Sequence, residues 1–290
     1  VPEALVLDGI PALPASLRDE VGRYLEFRSA TFQDWHPSRR DVLIITRFAN
    51  TPQLHLVQQP EGARRQLTFL AEPVQGGSFQ PADPARILFT QDTGGAEFYQ
   101  FHELNREDGT LRLLTDGRSR NTDPVWSNDG RRLAYASTRR NGRDTDLYLL
   151  EPGREGSGRC LAELEGGGWS VRDWSPDNRR LLVRSYVSIN DASLHLLDVE
   201  TGARKRLTPE GEGPEAWMDG RFLGDGRSVV AITDRGGEFR RLMRLDLEGG
   251  AWEAFGPEIA WDVEAMDVSP DGRRLAMFVN EDGVSRLHVL

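Results

Sequence analysis

One short phrase recurs six times along this chain at a nearly constant spacing. Each copy opens with a large apolar residue, makes a polar turn and enters an apolar strand, as in Trp126 followed by Ser127–Gly130. The six opening residues, separated by 44, 47, 48, 48 and 46 residues, are Trp35, Phe79, Trp126, Trp174, Phe222 and Val268. A strand-rich repeat of this length is typical of a β-propeller with one blade per repeat. We therefore predict an all-β propeller of WD-like repeats over residues 31–290.

The third copy shows how one repeat supplies a four-stranded blade. Polar turns separate its apolar segments, and Asn141-Gly142 in one of them is a strong β-hairpin signal. The predicted strands are residues 125–127, 133–138, 145–150 and 159–164. We interpret the large residues that open the copies as packing between neighbouring blades, with a ligand platform as the alternative.

A different element precedes the first blade, within an N-terminal extension of residues 1–30. The sequence Ser16-Leu17-Arg18-Asp19 resembles a capping box with Ser16 as the cap. The apolar residues that then share one helical face are Leu17, Val21, Tyr24 and Leu25. We predict a helix from Ser16 to about Phe27, packed on the propeller or on a neighbouring domain.

Composition excludes some classes of partner. The chain has 36 Lys and Arg against 46 Asp and Glu, a net charge of −10, so it lacks the globally basic surface of a nucleic-acid-binding protein. No apolar run approaches the roughly 18 residues that span a bilayer. The start, Val1–Pro14, does not have the pattern of a signal peptide. The single cysteine, Cys160, fits a reducing compartment, so we expect a cytoplasmic protein without nucleic-acid or membrane partners.

Two short sequence motifs are more specific for a protein family than the repeat itself. They are Gly94-Gly95-Ala96-Glu97 and Arg139-Arg140-Asn141-Gly142-Arg143-Asp144. With shorter matches between Tyr24 and Tyr148, they make the chain resemble the propeller domain of a prolyl-oligopeptidase-family serine peptidase, of the bacterial dipeptidyl or acylaminoacyl peptidase-like branch. Beyond that region the resemblance thins to the generic blade pattern. The Ser-Pro-Asp-Gly word is less specific, because TolB-type propellers share it.

The resemblance implies a partner domain and a substrate. Members of this family carry a Ser-Asp-His triad on an α/β-hydrolase domain, which we expect beyond Leu290, and their propeller admits only short peptides or unfolded ends. The polar loops Arg118–Thr122 and Arg139–Asp144 are candidates to face that domain.

Charged side chains of the propeller are candidates for peptide contacts. Glu97 and Glu103, near Tyr99, would receive a peptide's amino terminus through a charge-assisted hydrogen bond. The candidates for gripping a carboxylate are Arg47, Arg139 and Arg140. The alternative is that these are solvated loop and rim charges.

Catalytic motifs are absent from the sequence. No G-x-S-x-G nucleophile elbow occurs, and near-matches that begin at Gly76, Gly117 and Gly168 each lack the last glycine. The five histidines, His36, His55, His102, His195 and His288, are scattered without metal-ligand spacing. We expect no catalytic residue, metal or cofactor, with convergence of His55, His102 and His195 on the channel as the alternative.

The sixth copy reaches a strand at Leu287–Leu290 without the outer strand of a complete blade. We expect a seven-bladed ring in a longer protein, and we expect this segment alone to be poorly soluble or to oligomerise, because an unclosed propeller exposes sheet edges. The first functional hypothesis is a non-catalytic, access-gating propeller of a serine peptidase that hydrolyses short peptides. The alternatives are a TolB-like interaction scaffold and a propeller lyase or hydrolase with its site in the channel.

Overall fold

The computed structural model describes residues 6–154, 156–211 and 213–290, which form one helix and six antiparallel sheets. The helix is α1 (Ala15–Leu25). Blade 1 contains β1 (Ala30–Trp35), β2 (Val42–Thr46), β3 (Gln53–Val57) and β4 (Arg65–Gln66). Blade 2 contains β5 (Val74–Phe79), β6 (Arg86–Gln91), β7 (Gln100–Asn105) and β8 (Leu111–Leu113). Blade 3 contains β9 (Asn121–Trp126), β10 (Leu133–Ser137), β11 (Asp146–Leu150) and β12 (Arg159–Ala162).

The remaining blades follow the same plan. Blade 4 contains β13 (Trp169–Trp174), β14 (Arg180–Ser188), β15 (Asp191–Asp198) and β16 (Arg204–Arg206). Blade 5 contains β17 (Trp217–Phe222), β18 (Ser228–Thr233), β19 (Arg241–Asp246) and β20 (Glu253–Ala254). Blade 6 has three strands, β21 (Val263–Val268), β22 (Leu275–Glu281) and β23 (Val284–Val289). The predicted propeller with one blade per repeat is confirmed, and a seventh blade stays a prediction.

The first strand of each blade lies nearest the propeller axis. Strands pair in chain order within a blade, and neighbouring blades meet through their first strands, β1 with β5, β9 with β13, β13 with β17 and β17 with β21. In blade 3 the observed strands agree with prediction, except that β9 begins four residues early. Pro124 lies in this extension, where the register with β10 shifts and Asp123 adopts a positive φ of 51°.

The core lies between the sheets, because each blade has two faces to bury. Leu43, Leu54 and Leu56 of blade 1 pack against Val74 and Phe79 of blade 2. The first strand must pass close to the preceding sheet, and a glycine makes this possible in two blades. A Cβ at Gly77 would lie 2.7 Å from Leu54 Cδ2, and one at Gly220 would lie 2.6 Å from Leu182 Cδ2.

The recurring polar turn is held by one hydrogen-bonding pattern. In blade 3 the Ser127 hydroxyl donates to Asp129 Oδ1 at 2.6 Å and accepts the Arg132 backbone N–H at 3.0 Å. The same pattern joins Ser175, Asp177 and Arg180, and again Ser269, Asp271 and Arg274. The Ser and Asp side chains of this Ser-x-Asp motif therefore stabilise the turn by local hydrogen bonds, as in ST and Asx turns.

An arginine after two of these turns connects one blade to the next. Arg132 donates to the Asn178 carbonyl at 2.6 Å, and its guanidinium lies 5.0 Å from the centre of a Trp174 ring. Arg180 repeats this arrangement with the Gly226 carbonyl and the Phe222 ring. The turn of one blade thus clamps the opening aromatic residue of the next.

The prediction that the opening residues pack between neighbouring blades is confirmed for buried members such as Trp174. It is wrong for Trp35. Trp35 is 60% exposed, because within the described residues blade 1 has a neighbouring blade only on the side of blade 2. It contacts Phe32 of its own strand instead, with ring centroids 5.7 Å apart.

The helix prediction is correct in place and wrong in detail. The helix begins at Ala15 after Pro14, and Ser16 makes no capping hydrogen bond. Its predicted apolar face is exposed, so it does not pack on the propeller; Leu17, Val21, Tyr24 and Leu25 are all exposed. Packing on a neighbouring domain stays a prediction.

Replacing Trp174 by alanine should lower the free energy of unfolding by about 3–5 kcal/mol, the cost of removing a buried aromatic side chain. Its indole is 2% exposed and donates to the Val125 carbonyl at 3.0 Å. The control is Phe69→Ala, because Phe69 is 80% exposed and its loss should cost about 0.5 kcal/mol or less. Urea unfolding measures both; equal losses would show that Trp174 does not hold blades 3 and 4 together.

Candidate functional site

Five of the predicted substrate-binding residues, Arg140 among them, lie at one face of the propeller. The connections from a blade's second strand to its third, and from its fourth strand to the next blade, all open there, since strands alternate in direction. We call this the loop face; in the first three blades it comprises residues 47–52, 67–73, 92–99, 114–120, 138–145 and 163–168. It carries Arg47, Glu97, Tyr99 and Arg139. It also carries most of both loops that were candidates to face a partner domain.

Arg47 secures the N-terminal extension to blade 1. Its Nη2 donates to the Leu25 carbonyl at 2.5 Å and lies 3.5 Å from the Phe27 carbonyl. Beside it, the Thr46 hydroxyl donates to the Ser29 carbonyl at 2.6 Å. The Arg47 guanidinium is therefore engaged at the end of the helix.

Glu97 presents a carboxylate to solvent on a fixed loop. Its backbone has a φ of 60°, and its N–H donates to Asp92 Oδ2 at 2.8 Å. The side chain is 65% exposed, with Arg120 Nη2 at 3.6 Å from its carboxylate. Tyr99 is half-buried nearby, and its carbonyl accepts the Asn121 side-chain amide at 2.8 Å. Glu97 and Tyr99 thus lie in the same connection of the loop face.

Glu103 lies apart from Glu97, inside the sheet of blade 2. It is 5% exposed, and its Oε1 is 2.7 Å from Arg86 Nη1 and 3.4 Å from Arg112 Nη2. This ion pair spans β6, β7 and β8, and the charge of Glu103 raises the pKa of Arg86. The structure therefore does not bring the two glutamates together.

Arg139 and Arg140 are neighbours with different surroundings. Arg139 borders a cavity of about 580 Å³ between blades 2 and 3, with its guanidinium 5.9 Å from the Tyr148 ring and 3.9 Å from Asp116. Arg140 instead donates to Asp146 at 2.7 Å and to the Leu164 carbonyl. The hydrogen bond to Asp146 raises the pKa of Arg140, so this arginine stays bound inside blade 3.

A chain of charges crosses the innermost strands of blades 3 to 6. Asp219 Oδ1 lies 2.8 Å from both Arg172 Nε and Arg221 Nη1. The chain extends from Arg172 to Asp123 at 3.8 Å and from Arg221 to Asp267 at 3.6 Å. Burial opposes ionisation of Asp219, but the charges of Arg221 and Arg172 outweigh it and lower its pKa. We call these five residues the channel charges.

The sequence contains a signal for the channel charges in the spacing of charged residues from the opening residues. All five lie one to three residues before an opening residue, and they are Asp123, Arg172, Asp219, Arg221 and Asp267. Side chains at those positions belong to first strands, so opposite charges in neighbouring copies meet near the axis.

Asp173 joins the backbones of two blades. Its carboxylate accepts the Trp174 N–H at 2.9 Å and the Phe222 N–H at 2.7 Å. Asp34 does the same with Trp35 and Phe79, at 2.8 Å each. Burial raises the pKa of both carboxyls, that of Asp173 to about 6.

Asp173→Asn should change how stability depends on pH. A carboxyl whose pKa is raised in the folded protein makes folding less favourable as the pH rises through the window between its two pKa values. The lower limit is near 4, the pKa in the unfolded chain, and the upper limit is about 6, the pKa in the folded protein. The difference in unfolding free energy, variant minus wild type, should therefore increase by roughly 2 kcal/mol between pH 4 and pH 7. Urea titrations at each pH measure it, with the exposed Asp19→Asn as control. A difference that is constant or falls across this window would contradict the assignment.

The three histidines proposed for a channel metal site lie in third strands of different blades, away from the axis. His55 contacts Phe48, His102 stacks on Phe89 and His195 contacts Trp169, with centroid distances of 4.7, 5.1 and 5.1 Å. Burial lowers the pKa of each, that of His195 to about 4. Within the described ranges no group of three or more His, Cys, Asp or Glu is placed to hold a metal ion.

No helix in the described part of the chain has both the length and the apolar character to cross a membrane.

Comparisons with known proteins agree with this architecture. No family model matches the chain. It is 33% identical over 150 residues to an uncharacterized peptidase, YuxL, of Bacillus subtilis (strain 168), a match that covers 51% of this chain and 22% of that protein. The solved structure of a prolyl endopeptidase, described for the role of inter-domain dynamics in catalysis and specificity, superposes with a TM-score of 0.72 at 15% identity, covering 90% of this chain and 41% of that one.

A second solved structure, a putative TolB from Agrobacterium tumefaciens, superposes with a TM-score of 0.59 at 19% identity. That match covers 79% of this chain and 80% of the other. The chain therefore spans less than half the length of the peptidases it matches, and most of the TolB-like protein. These comparisons bear out the resemblance: the chain has the propeller fold of a prolyl endopeptidase over most of its length, and it is similar in sequence to a peptidase over half of it.

Proposed function

We propose that this chain is the non-catalytic, access-gating propeller of a serine peptidase that hydrolyses short peptides. The similarity to YuxL and the fold shared with a prolyl endopeptidase support the link to a peptidase. The observation that carries the gating role is the run of channel charges, because it ties together the innermost strands of four blades. In this proposal the partner is the protein's own C-terminal α/β-hydrolase domain, seated on the loop face.

The channel charges act as the filter. Arg172 and Arg221 share Asp219, so each long side chain is held near the axis instead of extending freely into solvent. A partly buried ion pair of this kind resists displacement, because breaking it leaves an uncompensated charge. A narrow, extended peptide passes such a constriction, and a folded chain does not.

The loop face supplies the peptide contacts. The exposed carboxylate of Glu97, beside Tyr99, receives the amino terminus of the peptide, and Arg139 meets a carboxylate. Arg47 and Glu103 are engaged within the chain, so their part is to hold the extension and blade 2 in place. A cytoplasmic location and self-association also belong to this proposal; the single cysteine is consistent with the former.

Glu97→Gln in the full-length protein should raise KM about five- to tenfold for peptides with a free amino terminus, because a charge-assisted hydrogen bond is lost. KM for the same peptides with an acetylated amino terminus should not change, because they carry no charge there. Glu107→Gln is the matched control, since Glu107 is exposed on the same blade at the opposite end of β7. If Glu97→Gln changed KM equally for free and acetylated peptides, Glu97 would not bind the amino terminus of the substrate.

Arg172→Ala tests the filter. It removes a long side chain of the constriction and leaves Asp219 paired with Arg221 at 2.8 Å. In the full-length protein, kcat/KM for a disulfide-closed hairpin peptide, which is wider than an extended chain, should rise severalfold relative to that for a short linear peptide. The control is Arg179→Ala, an exposed arginine in the turn between β13 and β14. An unchanged ratio would contradict gating by this residue.

A TolB-like interaction scaffold without catalysis is the second candidate. The observation that favours it is the superposition on the putative TolB, which nearly matches this chain in extent. The full-length protein distinguishes the two: peptide hydrolysis that a serine-directed inhibitor abolishes supports the peptidase, and its absence supports the scaffold.

A further inference from the structure

A cavity of about 460 Å³ lies between blades 1 and 2, at the face of the propeller opposite the loop face. Its walls come from the turns that follow β1, β5 and β7. The polar side chains in these walls are His36, Ser38, Arg39, Asp83, Arg106 and Glu107. The residues proposed above for peptide contacts and the channel charges lie elsewhere, so this cavity is separate from that site.

The arginine that clamps the next blade is missing at this junction. Arg132 of blade 3 lies six residues after its opening residue, and the residue at that place in blade 1 is Asp41. Two other side chains contact the buried Phe79 ring instead. The His36 ring lies 5.1 Å from it, centroid to centroid, and the Arg106 guanidinium lies 5.8 Å from its centre. His36 and Arg106 therefore meet at one wall of the cavity.

The His36 imidazole has a free N–H. The Ser38 backbone N–H donates to His36 Nδ1 at 3.2 Å, so the neutral ring carries its proton on Nε2. Within the described residues Nε2 makes no hydrogen bond, and this atom is not sealed from solvent. Burial and the charge of Arg39 lower the pKa of His36, so the ring stays neutral at pH 7 with Nε2 as a donor.

Arg106 brings an unpaired positive charge to the same cavity. Its Nη1 donates to the Pro84 carbonyl at 3.2 Å, which leaves Nε and Nη2 without a hydrogen-bond partner among the described residues but in contact with solvent. Throughout residues 6–154, 156–211 and 213–290, no carboxylate lies within 4.0 Å of this guanidinium. Burial and the positive charges of Arg39 and Arg65 lower the pKa of Arg106, although Asp41 opposes them.

Two other charges in the walls are already paired. Arg39 Nη2 lies 2.9 Å from Asp41 Oδ2, and Asp83 Oδ2 lies 3.1 Å from Arg86 Nε. The pair with Asp41 uses one edge of the Arg39 guanidinium, and this side chain is 53% exposed. Arg39 therefore balances a buried acid and still has N–H groups directed to solvent.

Positive charge is left in excess at the cavity. In the described part of the chain, neither Arg106 nor the nearby Arg65 has a carboxylate within 4.0 Å, and Glu107 at the exposed rim has no cation within that distance. Two unpaired cations thus stand against one unpaired acid, in a chain whose net charge is −10. Local charge of this sign, with free N–H donors, attracts an anion.

We propose that this cavity binds a phosphoryl group, held by the Nε and Nη2 of Arg106, the Nε2–H of His36 and the free N–H groups of Arg39. These donors come from two blades, so they approach an anion from different directions. A phosphate has enough oxygens to accept from all of them, whereas a carboxylate presents two oxygens in one plane. Free phosphate and a phosphorylated protein side chain both carry this group. The site does not depend on the peptidase function proposed above.

The test is a calorimetric titration of the full-length protein with inorganic phosphate and with acetate, at constant ionic strength. We expect saturable binding of phosphate. Binding of acetate should be at least about tenfold weaker, because it satisfies fewer of the charged donors.

Variants of opposite expected sign locate the binding. Arg106→Gln should weaken phosphate binding about tenfold or more, and His36→Phe, which keeps a ring on Phe79, should weaken it severalfold. Glu107→Gln should strengthen it about two- to threefold, because it removes the unpaired acid at the rim. Arg179→Gln, an exposed arginine in a turn at the same face of blade 4, is the control and should bind as wild type.

Melting temperatures identify any variant that unfolds. Arg106→Lys keeps the charge on Phe79 and loses the two-pronged contact, so its affinity for phosphate should lie between those of wild type and Arg106→Gln. Glu107→Gln changes an exposed side chain, so its effect on binding is readable even if Arg106→Gln does not fold.

Two results would overturn the proposal. One is a wild type that does not bind phosphate saturably, or binds acetate equally well. The other is affinity for phosphate that Arg106→Gln and Glu107→Gln both leave unchanged. A second probe, N-acetyl-phosphoserine amide, separates the sources of the phosphoryl group. Tighter binding of this probe than of inorganic phosphate assigns the site to a phosphorylated side chain, and the reverse order assigns it to free phosphate.

Discussion

The structure depends on the packing of large inner-strand side chains between two sheets, as for Phe79, Trp174 and Phe222. Trp174 illustrates the constraint: it is buried between blades 3 and 4, donates to the Val125 carbonyl and lies under the guanidinium of Arg132. A single blade has no means of burying both faces, so each gains its core only from its neighbours. The period of the repeat follows from this requirement, because each copy supplies a large apolar side chain at the same point.

The same constraint positions the polar residues that bear on function. Fixing the opening residue fixes the residues just before it, and in blades 4 and 5 these include Arg172, Asp173 and Arg221, which connect the inner strands through side-chain and backbone contacts. The strands also send alternate connections to one face, where rigid blades hold exposed loops such as the one that carries Glu97. Binding residues on loops positioned by a rigid scaffold are common in proteins. A cavity of about 350 Å³ between blades 3 and 4 opens at this face as well.

The propeller was predictable from the sequence because its period, turns and strands are local patterns repeated six times. The features that the sequence did not predict depend on contacts between distant parts of the chain. The apolar face of the helix was visible, but nothing in the sequence indicated that Leu17 and Val21 would stay exposed. Glu97 and Glu103 are close in sequence, yet one lies on a loop and the other pairs with Arg86 inside a sheet. Ser170 and Arg184 meet only through strand register, which a single sequence does not display.

The central claim is that this chain is the non-catalytic part of a serine peptidase. The most direct test is to label the full-length protein with a fluorophosphonate probe and to locate the modified residue by mass spectrometry. We predict one labelled serine outside residues 1–290, with hydrolysis of short peptides lost in proportion to labelling. A labelled serine within residues 1–290, or a full-length protein that takes up no label and cleaves no peptide, would contradict the claim.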